Sequence, residues 1–352
     1  MIGFRLDANE HIATGHMMRC IAIATECRKL GQECLFLLAE EKETERLTAH
    51  QFAYRILNTR WNHMEEEIPV LAEIIQQEKM DYLVVDSYQA TPDYLKKINK
   101  LIPVLYLDDM ALATYEIDAV LHYGFCSDRD AYIKRYACTT TKVMIGLEYI
   151  PLREEFQPDE EKRTYKSIKG ECSEFSERFH RIMITTGGTD PFDVTGEVLR
   201  KCITDSVFQD YFFDVIMGSM NQNVSSLMQL AEKNKKICLY KNVQNMGDFM
   251  RNAEIAVSAG GTTLFELCAC GTPTICFSFA DNQQGVTIDM ESRHVMFSAG
   301  DARDTDVVNG IVEQLKFWIN NPKSRQEYTQ RMQNVVDGKG AIRVAEFLAG
   351  RV

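Results

Sequence analysis

Along the first 150 residues, short apolar runs alternate with longer stretches in which apolar residues recur at helical spacing. The short runs predict buried strands at Ile2–Arg5, Glu33–Leu38, Tyr54–Leu57, Tyr82–Asp86, Val104–Leu107 and Ala119–His122. The periodic stretches between several of them predict helices at Gly15–Leu30, Met64–Glu78 and Pro92–Lys100. This alternation is typical of βαβ units, which build a mostly parallel sheet.

A second alternation of the same kind begins near residue 180. Its predicted strands are Arg181–Thr185, Phe212–Met217, Ile237–Tyr240, Ile255–Ser258, Thr274–Phe277 and His294–Phe297. Its predicted helices are Val194–Ile203, Asn223–Lys233, Met246–Asn252, Thr262–Cys270 and Gln284–Glu291, followed by a largely helical stretch from Thr305 to Ala349. Between the two alternations, residues 157–178 are polar and charged without an apolar period, which is typical of a linker or an exposed insertion.

The pattern therefore predicts an α/β protein with two Rossmann-like, doubly wound domains. We expect a first domain over residues 1–156 and a second over residues 179–352, with the helical tail in the second. Ligands of such folds bind beyond the carboxyl ends of the strands. We therefore expect the two domains to face a cleft that holds the ligand.

The composition limits the class of ligand. The chain has 352 residues, with 39 Lys and Arg against 51 Asp and Glu, so its formal net charge is −12. Nucleic acid is not expected as a partner, because nucleic-acid-binding proteins carry a basic surface. Integral membrane contact is not expected either, because no apolar segment approaches the roughly 20 residues of a spanning helix and the start has no signal-peptide pattern.

The cysteine pattern argues against a metal site. The chain has 11 cysteines, an odd number, without a CxxC pair or zinc-ligand spacing, which favours a reducing, cytoplasmic location. The GxxxxGK[ST] and GxGxxG loops of P-loop enzymes and nicotinamide dehydrogenases are also missing from the expected places. No metal or other cofactor is expected, and the oligomeric state stays open.

The first candidate site follows the first predicted strand. A helix is predicted to begin near Gly15 and His16, where the positive end of the helix dipole disfavours an imidazolium. His16 is therefore expected to be neutral and able to act as a base, with a capping or packing histidine as an equal alternative. Gly15 leaves room for a ligand. Asp7 is a candidate to orient His16 or a substrate hydroxyl, or else a loop residue.

The second candidate site follows the predicted strand Ile255–Ser258. A helix begins directly after that strand, and free amides and hydroxyls at its start suit a diphosphate without any lysine. The residues concerned are Ala259, Gly260, Gly261, Thr262 and Thr263. Glu266 lies one turn further on, where a carboxylate can accept hydrogen bonds from a ribose diol; the alternative is a solvated helix residue. An acidic chain can bind a polyanion in this way.

Other residues near predicted strand ends and helix starts are weaker candidates. The candidate substrate contacts are Arg19, Asp86, Tyr88, Asn282 and Gln283. Gly187 and Gly188 follow a strand directly, so they could bind phosphate or make a tight turn. Asp108 and Asp109 are predicted to form a turn rather than to bind a metal.

Several of these segments together carry a family resemblance. They are FRLDANEHIATGHMMRCIAIA, VVDSY, YLDD, GLEYIPLREEF, ITTGGTDP and SAGGTTLFELCACGTPTICFSFADNQ. In this order they resemble the bacterial UDP-sugar hydrolases of pseudaminic acid biosynthesis, which cleave UDP from 2,4-diacetamido-2,4,6-trideoxy-β-L-altropyranose. That family is part of the two-domain glycosyltransferase B superfamily, with spore coat polysaccharide proteins among its relatives.

The resemblance implies roles for individual residues. The histidine of the family's Gly-x-Gly-His segment is its catalytic base, which corresponds to His16. The glycine pair that cradles the diphosphate corresponds to Gly260 and Gly261, and the ribose-binding acid to Glu266. The chain departs from the family at Ala13, where the family usually has glycine.

The sequence therefore predicts a metal-independent hydrolase that acts on a UDP-sugar in the synthesis of cell-surface polysaccharide. A glycosyltransferase with a UDP-sugar donor is the alternative on the same scaffold, because a base at His16 would serve either reaction. A non-catalytic nucleotide-sugar-binding subunit is the alternative of another class.

Overall fold

The computed structural model describes residues 1–7, 15–42, 44–124, 129–157, 180–218, 220–241, 243, 245–304 and 306–350, without the side chain of Asn282. The chain divides into two compact units. The first contains Met1–Glu154 together with Gly338–Val352, and the second contains Glu155–Asp337. Residues 158–178 of the predicted linker lie outside the described residues.

The first unit is built on a seven-stranded parallel sheet in the order β3-β2-β1-β4-β5-β6-β7. Its strands are β1 (Ile2–Leu6), β2 (Cys34–Leu38), β3 (Ala53–Ile56), β4 (Tyr82–Asp86), β5 (Val104–Leu107), β6 (Ala119–His122) and β7 (Lys142–Ile145). The central strand β1 is buried along its whole length, as expected for a parallel sheet covered on both faces.

The helices of the first unit connect these strands. They are α1 (Gly15–Lys29), α2 (Thr44–Ala49), α3 (Ile68–Gln77), α4 (Pro92–Asn99) and α5 (Arg129–Arg135), with 3₁₀ turns at Met64–Glu67 and Leu147–Tyr149. The start of α4 illustrates the local rules: Thr91 Oγ1 accepts a hydrogen bond from the Tyr94 amide at 3.0 Å, and Pro92 occupies the first turn.

The second unit repeats this plan with a six-stranded parallel sheet in the order β10-β9-β8-β11-β12-β13. Its strands are β8 (His180–Thr185), β9 (Tyr211–Met217), β10 (Ile237–Lys241), β11 (Ile255–Ala259), β12 (Thr274–Ser278) and β13 (Phe297–Asp301). Its helices are α6 (Val194–Cys202), α7 (Val224–Lys233), α8 (Met246–Asn252), α9 (Thr263–Cys270), α10 (Asp281–Ser292), α11 (Val307–Asn320) and α12 (Pro322–Val335), with a 3₁₀ turn at Ser206–Phe208. A further 3₁₀ turn, Glu154–Phe156, lies where the two units divide.

One predicted strand is placed wrongly by the sequence pattern. The apolar run His294–Phe297 suggested a strand, but β13 begins only at Phe297. His294 has a φ of 54°, and the amides of Val295 and Met296 both bond to the Met290 carbonyl. These residues close the end of α10, and the burial of Val295 and Met296 reflects packing under a turn rather than a strand.

The pattern also misses short elements and shifts two helix starts. β7, α2 and α5 lack a predicted counterpart because each has only four to seven residues and half-exposed positions. The helix predicted at Met64–Glu78 divides into a 3₁₀ turn and α3. Helix α9 begins at Thr263, and α10 begins at Asp281 rather than Gln284.

The C-terminal helix α13 (Gly340–Leu348) groups with the first unit, whereas the sequence assigned it to the second domain. It packs on α1, and the Arg343 guanidinium donates to the Glu148 carbonyl at 2.7 Å. A Cβ at Gly340 would lie 2.1 Å from the Ile150 carbonyl oxygen, so glycine permits this close approach. The apolar period of α13 gave no indication of which sheet it would cover.

Candidate active site

The predicted site residues lie at equivalent positions of the two sheets. In each sheet the strand order reverses beside the first strand: between β1 and β4 in the first unit, and between β8 and β11 in the second. Such switch points open a crevice at the carboxyl ends of the strands, where doubly wound folds bind ligands. Leu6 pairs with Asp86 in the first sheet and Thr185 with Ser258 in the second. Each unit therefore has one candidate switch-point site.

In the first unit, His16 and Asp86 form a close buried pair. The Nδ1 atom of His16 lies 2.5 Å from Oδ1 of Asp86, and both side chains are at least nine-tenths buried. An ionised carboxylate brings no proton to so short a contact, so the proton lies on Nδ1. Within the described residues, the polar contacts of His16 all involve Nδ1, which lies 3.0 Å from Arg19 Nη2 because both nitrogens donate to Asp86 Oδ1. With a proton on Nδ1, the atom of the imidazole that is left to accept a second proton is Nε2.

Arg19 holds the other side of the Asp86 carboxylate. Its Nε donates to Asp86 Oδ2 at 2.6 Å, and its Nη2 donates to Oδ1. Its Nη1 donates to both oxygens of Asp109, at 2.7 and 2.9 Å, and also contacts the Tyr123 hydroxyl. All three guanidinium nitrogens are thus engaged within the protein. Arg19, predicted as a substrate contact, holds Asp86 and Asp109 together in this structure.

These contacts keep Asp86 ionised. Burial alone would raise the pKa of its carboxyl, but the positive charge and hydrogen bonds of Arg19, and then those of His16, outweigh burial. They hold the pKa of Asp86 well below its usual range. A permanently ionised partner stabilises an imidazolium when His16 Nε2 takes up a proton.

Tyr88 contacts His16 from a different direction. The two rings meet edge to face with centroids 4.6 Å apart, and the Tyr88 hydroxyl donates to Asp109 Oδ2 at 3.0 Å. Burial and then the charge of Asp109 raise the pKa of Tyr88 to about 12, so the phenol stays protonated at neutral pH. Tyr88 keeps 57% of its surface exposed, which leaves most of the ring available to a ligand.

These side chains border a pocket of about 130 Å³. Four of the predicted residues line it, namely Asp7, His16, Asp86 and Tyr88, together with Trp61, Ser87 and Gln89. Sequence reasoning missed Trp61 and Gln89, whereas Ser87 belongs to the VVDSY segment at the end of a predicted strand. Gln89 follows Tyr88 directly and could have been found by that position. Trp61 follows β3 and belongs to no motif or periodic stretch of the sequence, so only the folded structure shows that it lines the pocket.

Asp7 lines the pocket but is not the hydrogen-bonding partner of His16 among the described residues. Its Oδ2 accepts from Arg5 Nη1 at 2.7 Å, and its Oδ1 accepts from the Ala39 amide at 3.0 Å. Arg5 is fully buried and also donates to both oxygens of Glu67, at 2.6 and 2.8 Å. Asp86 takes the orienting role that the sequence offered to Asp7. Gly15, the first residue of α1, is exposed and would meet nothing within 4 Å if it carried a Cβ.

Asp108 and Asp109, which the sequence predicts to form a turn, have different hydrogen-bond partners. Asp108 Oδ1 accepts from the Ala111 amide at 2.9 Å and Oδ2 from the Tyr132 hydroxyl at 2.8 Å, so Asp108 stabilises the turn as predicted. Asp109 instead points to Arg19 and Tyr88. In the parts of the chain that are described, no cluster of three or more His, Cys, Asp or Glu residues is arranged to hold a metal ion.

At the second switch point, the main chain supplies the polar groups. Gly261 has a φ of 148°, and the chain then enters α9 at Thr263. Across the described residues, the amides of Gly261, Thr262 and Thr263 have no protein acceptor. Unpaired amides at a helix start form an anion-binding site. The amide of Gly260 is excluded, because it donates to the Phe277 carbonyl at 2.8 Å.

Gly260, predicted to bind phosphate, is closely packed against α10. A Cβ there would lie 2.9 Å from the Cβ of Gln283 and 3.1 Å from Cγ2 of Thr287, both on α10. Gln283, predicted as a substrate contact, uses its Oε1 to accept from the Phe279 amide at 3.0 Å. Asn282 lies in the same first turn of α10. Ala259 is the buried last residue of β11.

Glu266 lies in the first turn of α9, partly exposed, and its amide donates to the Thr262 carbonyl at 3.4 Å. Gly187 and Gly188 follow β8 at the same sheet edge, with a φ of 74° at Gly187. A Cβ at Gly218 would lie 2.1 Å from the Gly187 carbonyl oxygen. This glycine turn is therefore closely packed against the loop that follows β9.

Comparison with known proteins gives a family match in the second unit. Residues 182–335 match the Glycosyltransferase family 28 C-terminal domain. Over the described residues, no helix combines the length and apolar character needed to cross a membrane.

Curated relatives are distant. Spore coat polysaccharide biosynthesis protein SpsG of Bacillus subtilis is 23% identical over 99% of this chain and 97% of its own length. The UDP-2,4-diacetamido-2,4,6-trideoxy-beta-L-altropyranose hydrolase of Campylobacter jejuni is 22% identical over 78% of this chain and 90% of its own length. An uncharacterized protein of Methanocaldococcus jannaschii is 22% identical over 76% of this chain, which spans only 54% of that protein.

Solved structures match over nearly the whole chain. MurG of Acinetobacter baumannii has a TM-score of 0.66 at 12% identity and covers 99% of both chains. A UDP-GlcNAc 2-epimerase from Neisseria meningitidis, bound to UDP-GlcNAc, has a TM-score of 0.70 at 14% identity, again over 99% of both chains. The chain therefore has the two-domain α/β fold of the glycosyltransferase B type.

Proposed function

We propose that this chain is a nucleotide-sugar hydrolase that converts a UDP-linked diacetamido-trideoxy sugar into UDP and the free sugar, as in pseudaminic acid-type biosynthesis. The observation that carries the proposal is the His16–Asp86 pair beside a pocket. Its Nδ1 contact of 2.5 Å leaves Nε2 as the proton acceptor. The similarity to the Campylobacter jejuni hydrolase supports the choice of substrate.

In the proposed reaction, His16 Nε2 removes a proton from a water molecule as that water attacks the anomeric carbon. A new carbon–oxygen bond forms, and the bond between that carbon and the diphosphate oxygen breaks. UDP leaves with the bonding electron pair, and the sugar keeps the hydroxyl from water. The ionised Asp86 stabilises the imidazolium formed at His16. General-base assistance of this kind typically contributes about 10²–10⁴ in rate.

The second unit supplies the proposed nucleotide site. The unpaired amides of Gly261, Thr262 and Thr263 would bind the diphosphate, and the dipole of α9 would stabilise charge on the leaving group. Glu266 would accept from the ribose hydroxyls. The match of residues 182–335 to a glycosyltransferase domain supports a nucleotide-sugar ligand, and one structural relative is bound to UDP-GlcNAc.

The size of the first-unit pocket fits a proposed site for the sugar and the reacting water, with the nucleotide bound by the second unit. Pockets for drug-sized ligands measure about 300–1,000 Å³, whereas this one measures about 130 Å³. It has room for a reacting water and part of a sugar rather than for a nucleotide. Trp61 and Tyr88 would offer apolar ring surface to the sugar, and Gln89 and Ser87 would offer hydrogen bonds.

A glycosyltransferase is the second candidate, favoured by the family 28 match and by the fold shared with MurG. In that reaction an acceptor hydroxyl replaces water, and His16 would remove its proton in the same way. The two reactions differ in whether UDP is released without an acceptor.

The deciding experiment incubates the full chain with the UDP-diacetamido sugar in ¹⁸O-labelled water, with and without N-acetylglucosamine as a hydroxyl acceptor. UDP release in water alone, with ¹⁸O in the free sugar, supports the proposal. Label in UDP would mean attack at phosphorus and would contradict it. Release only with the acceptor would identify a transferase, and UDP-sugar binding without release would identify a non-catalytic subunit. Because the proposal includes no metal ion, EDTA is expected to leave the rate unchanged.

A further inference from the structure

In the first unit, the side chains of His16 and four other residues form a closed circuit of contacts. From His16 the contacts run to Asp86, to Arg19, to Asp109, to the Tyr88 hydroxyl, and from the Tyr88 ring back to His16. The circuit joins α1, the end of β4 and the residues after β5. His16, Asp86 and Tyr88 line the pocket, whereas the described lining includes neither Arg19 nor Asp109.

Arg19 fixes the plane of the Asp86 carboxylate. Its Nε and Nη2 each meet a different oxygen of Asp86, so the carboxylate cannot rotate without breaking one of the two bonds. Arg19 Nη2 also lies 3.0 Å from His16 Nδ1, because both nitrogens donate to the same Oδ1 atom. The direction of the His16 ring is therefore set by a group that is itself held by Arg19.

Asp109 completes the circuit from the opposite side. Its two oxygens receive Arg19 Nη1, and Oδ2 also receives the Tyr88 hydroxyl at 3.0 Å. The Tyr88 ring then limits how far the imidazole can tilt. Asp109 thus acts on His16 along two routes and has no hydrogen bond to it among the described residues.

We propose that Arg19 and Asp109 are positioning residues that fix the orientation and tautomer of His16, and that Arg19 does not bind the substrate. This inference rests on the proposed function of His16 as the base. A forked guanidinium between two carboxylates provides a geometry that a lysine ammonium cannot reproduce. Misplacing a catalytic group by about 1 Å can lower the rate by about 10²-fold.

Arg19→Lys keeps the positive charge but loses the fork. We expect kcat to fall by about 10- to 100-fold with KM for the UDP-sugar within about twofold of the wild type, because the substrate contacts remain. If Arg19 binds the anionic substrate instead, KM will rise while kcat stays near the wild-type value, and the positioning role is then wrong.

Asp109→Asn tests the remote end of the circuit and keeps the protein foldable, because Asp109 is partly exposed. We expect about a 10-fold loss of kcat, and no further loss when the change is added to His16→Asn, because both act through one imidazole. Glu116→Gln is the matched control, since it also turns a carboxylate into an amide but lies on the surface, paired with Lys96. An Asp109→Asn enzyme with wild-type kcat would overturn the proposal.

A spectroscopic measurement separates this inference from the proposed function. Imidazole ¹⁵N NMR of the wild type, with the His16 signals assigned by their loss in His16→Asn, should show one tautomer protonated at Nδ1. Asp109→Asn and Arg19→Lys should show a mixture of tautomers, whereas Glu116→Gln should not. This readout needs no substrate, so an unchanged tautomer would contradict the positioning role even if no UDP-sugar were hydrolysed.

Discussion

The two units place their candidate sites at the same topological position but build them from different parts of the chain. At the β1/β4 switch point, the polar groups are buried side chains that neutralise and orient one another, such as Arg19 between Asp86 and Asp109. At the β8/β11 switch point, the polar groups are backbone amides released by a glycine turn and a helix start. The first arrangement can hold and move a proton. The second can bind an anion without any lysine or arginine side chain.

This contrast predicts that the two sites fail in different ways. A conservative change in the first unit should remove a chemical step and leave ligand affinity intact. A substitution in the second unit should change ligand affinity by displacing the backbone amides.

His16→Asn should have the largest effect, because it removes the proton acceptor. We expect turnover to fall by about 10²–10⁴-fold, while the UDP dissociation constant, measured by isothermal titration, stays within about twofold. A variant with normal turnover would contradict the proposed mechanism. A variant that loses UDP affinity as well would contradict the separation of the two sites.

Asp86→Asn should destabilise the first unit by about 3–5 kcal/mol, because it leaves the buried Arg19 without its main partner. The pKa of Asp86 is lower in the folded chain than in the unfolded chain, so the ionised carboxylate stabilises the fold above about pH 4. This contribution disappears as the pH falls through the lower folded value. Denaturant unfolding should therefore show the full deficit at pH 7 and a smaller one below pH 4, and a deficit independent of pH would contradict this assignment.

Gly260→Ala should disturb the second unit by about 1–3 kcal/mol, because its Cβ would press against Gln283 and Thr287. Since Gly260 itself lends no free amide, we expect weaker UDP binding only as a result of displacement of the following turn. Unfolding curves and UDP titration measure the two effects. An unchanged midpoint with weaker binding would mean that Gly260 contacts the ligand directly.

Gly285→Ala is the matched control on the same helix and has the smallest expected effect. A Cβ at Gly285 meets nothing within 4 Å, and the residue lies inside α10. Alanine favours a helix over glycine by roughly 0.5–1 kcal/mol, so the midpoint should rise slightly and UDP affinity should not change. If Gly285→Ala lost stability, α10 would be sensitive to substitution in general. A loss of stability in Gly260→Ala could then not be assigned to the contacts of its Cβ with Gln283 and Thr287.

The sequence pattern predicted most of the fold because the central strands are buried on both faces and therefore apolar. Tyr82–Asp86, Val104–Leu107 and Ala119–His122 have the predicted bounds in the structure. The failures have a common cause. Val295 and Met296 are apolar because they pack under the end of α10, and burial alone does not distinguish a strand from a turn.

The candidate site was only partly predictable. His16, Asp86 and Tyr88 were identifiable from their positions at a helix start and a strand end. The preference for Asp7 as the partner of His16 came from nearness in sequence, whereas Asp86 lies 70 residues away from it. The contacts of Arg19 with Asp86 and Asp109 were not predictable, because Asp109 comes from yet another strand end.

The sequence by itself determined the doubly wound α/β class, the two switch-point segments and the identity of the chemical groups, because hydrophobic period and local helix starts are short-range properties. The tertiary structure decided which carboxylate faces His16, which nitrogen of His16 is left to accept a proton, and which sheet α13 covers. These depend on contacts between residues distant along the chain, because the pairing of β1 with β4 and of β4 with β5 brings the charged groups close enough to select their partners.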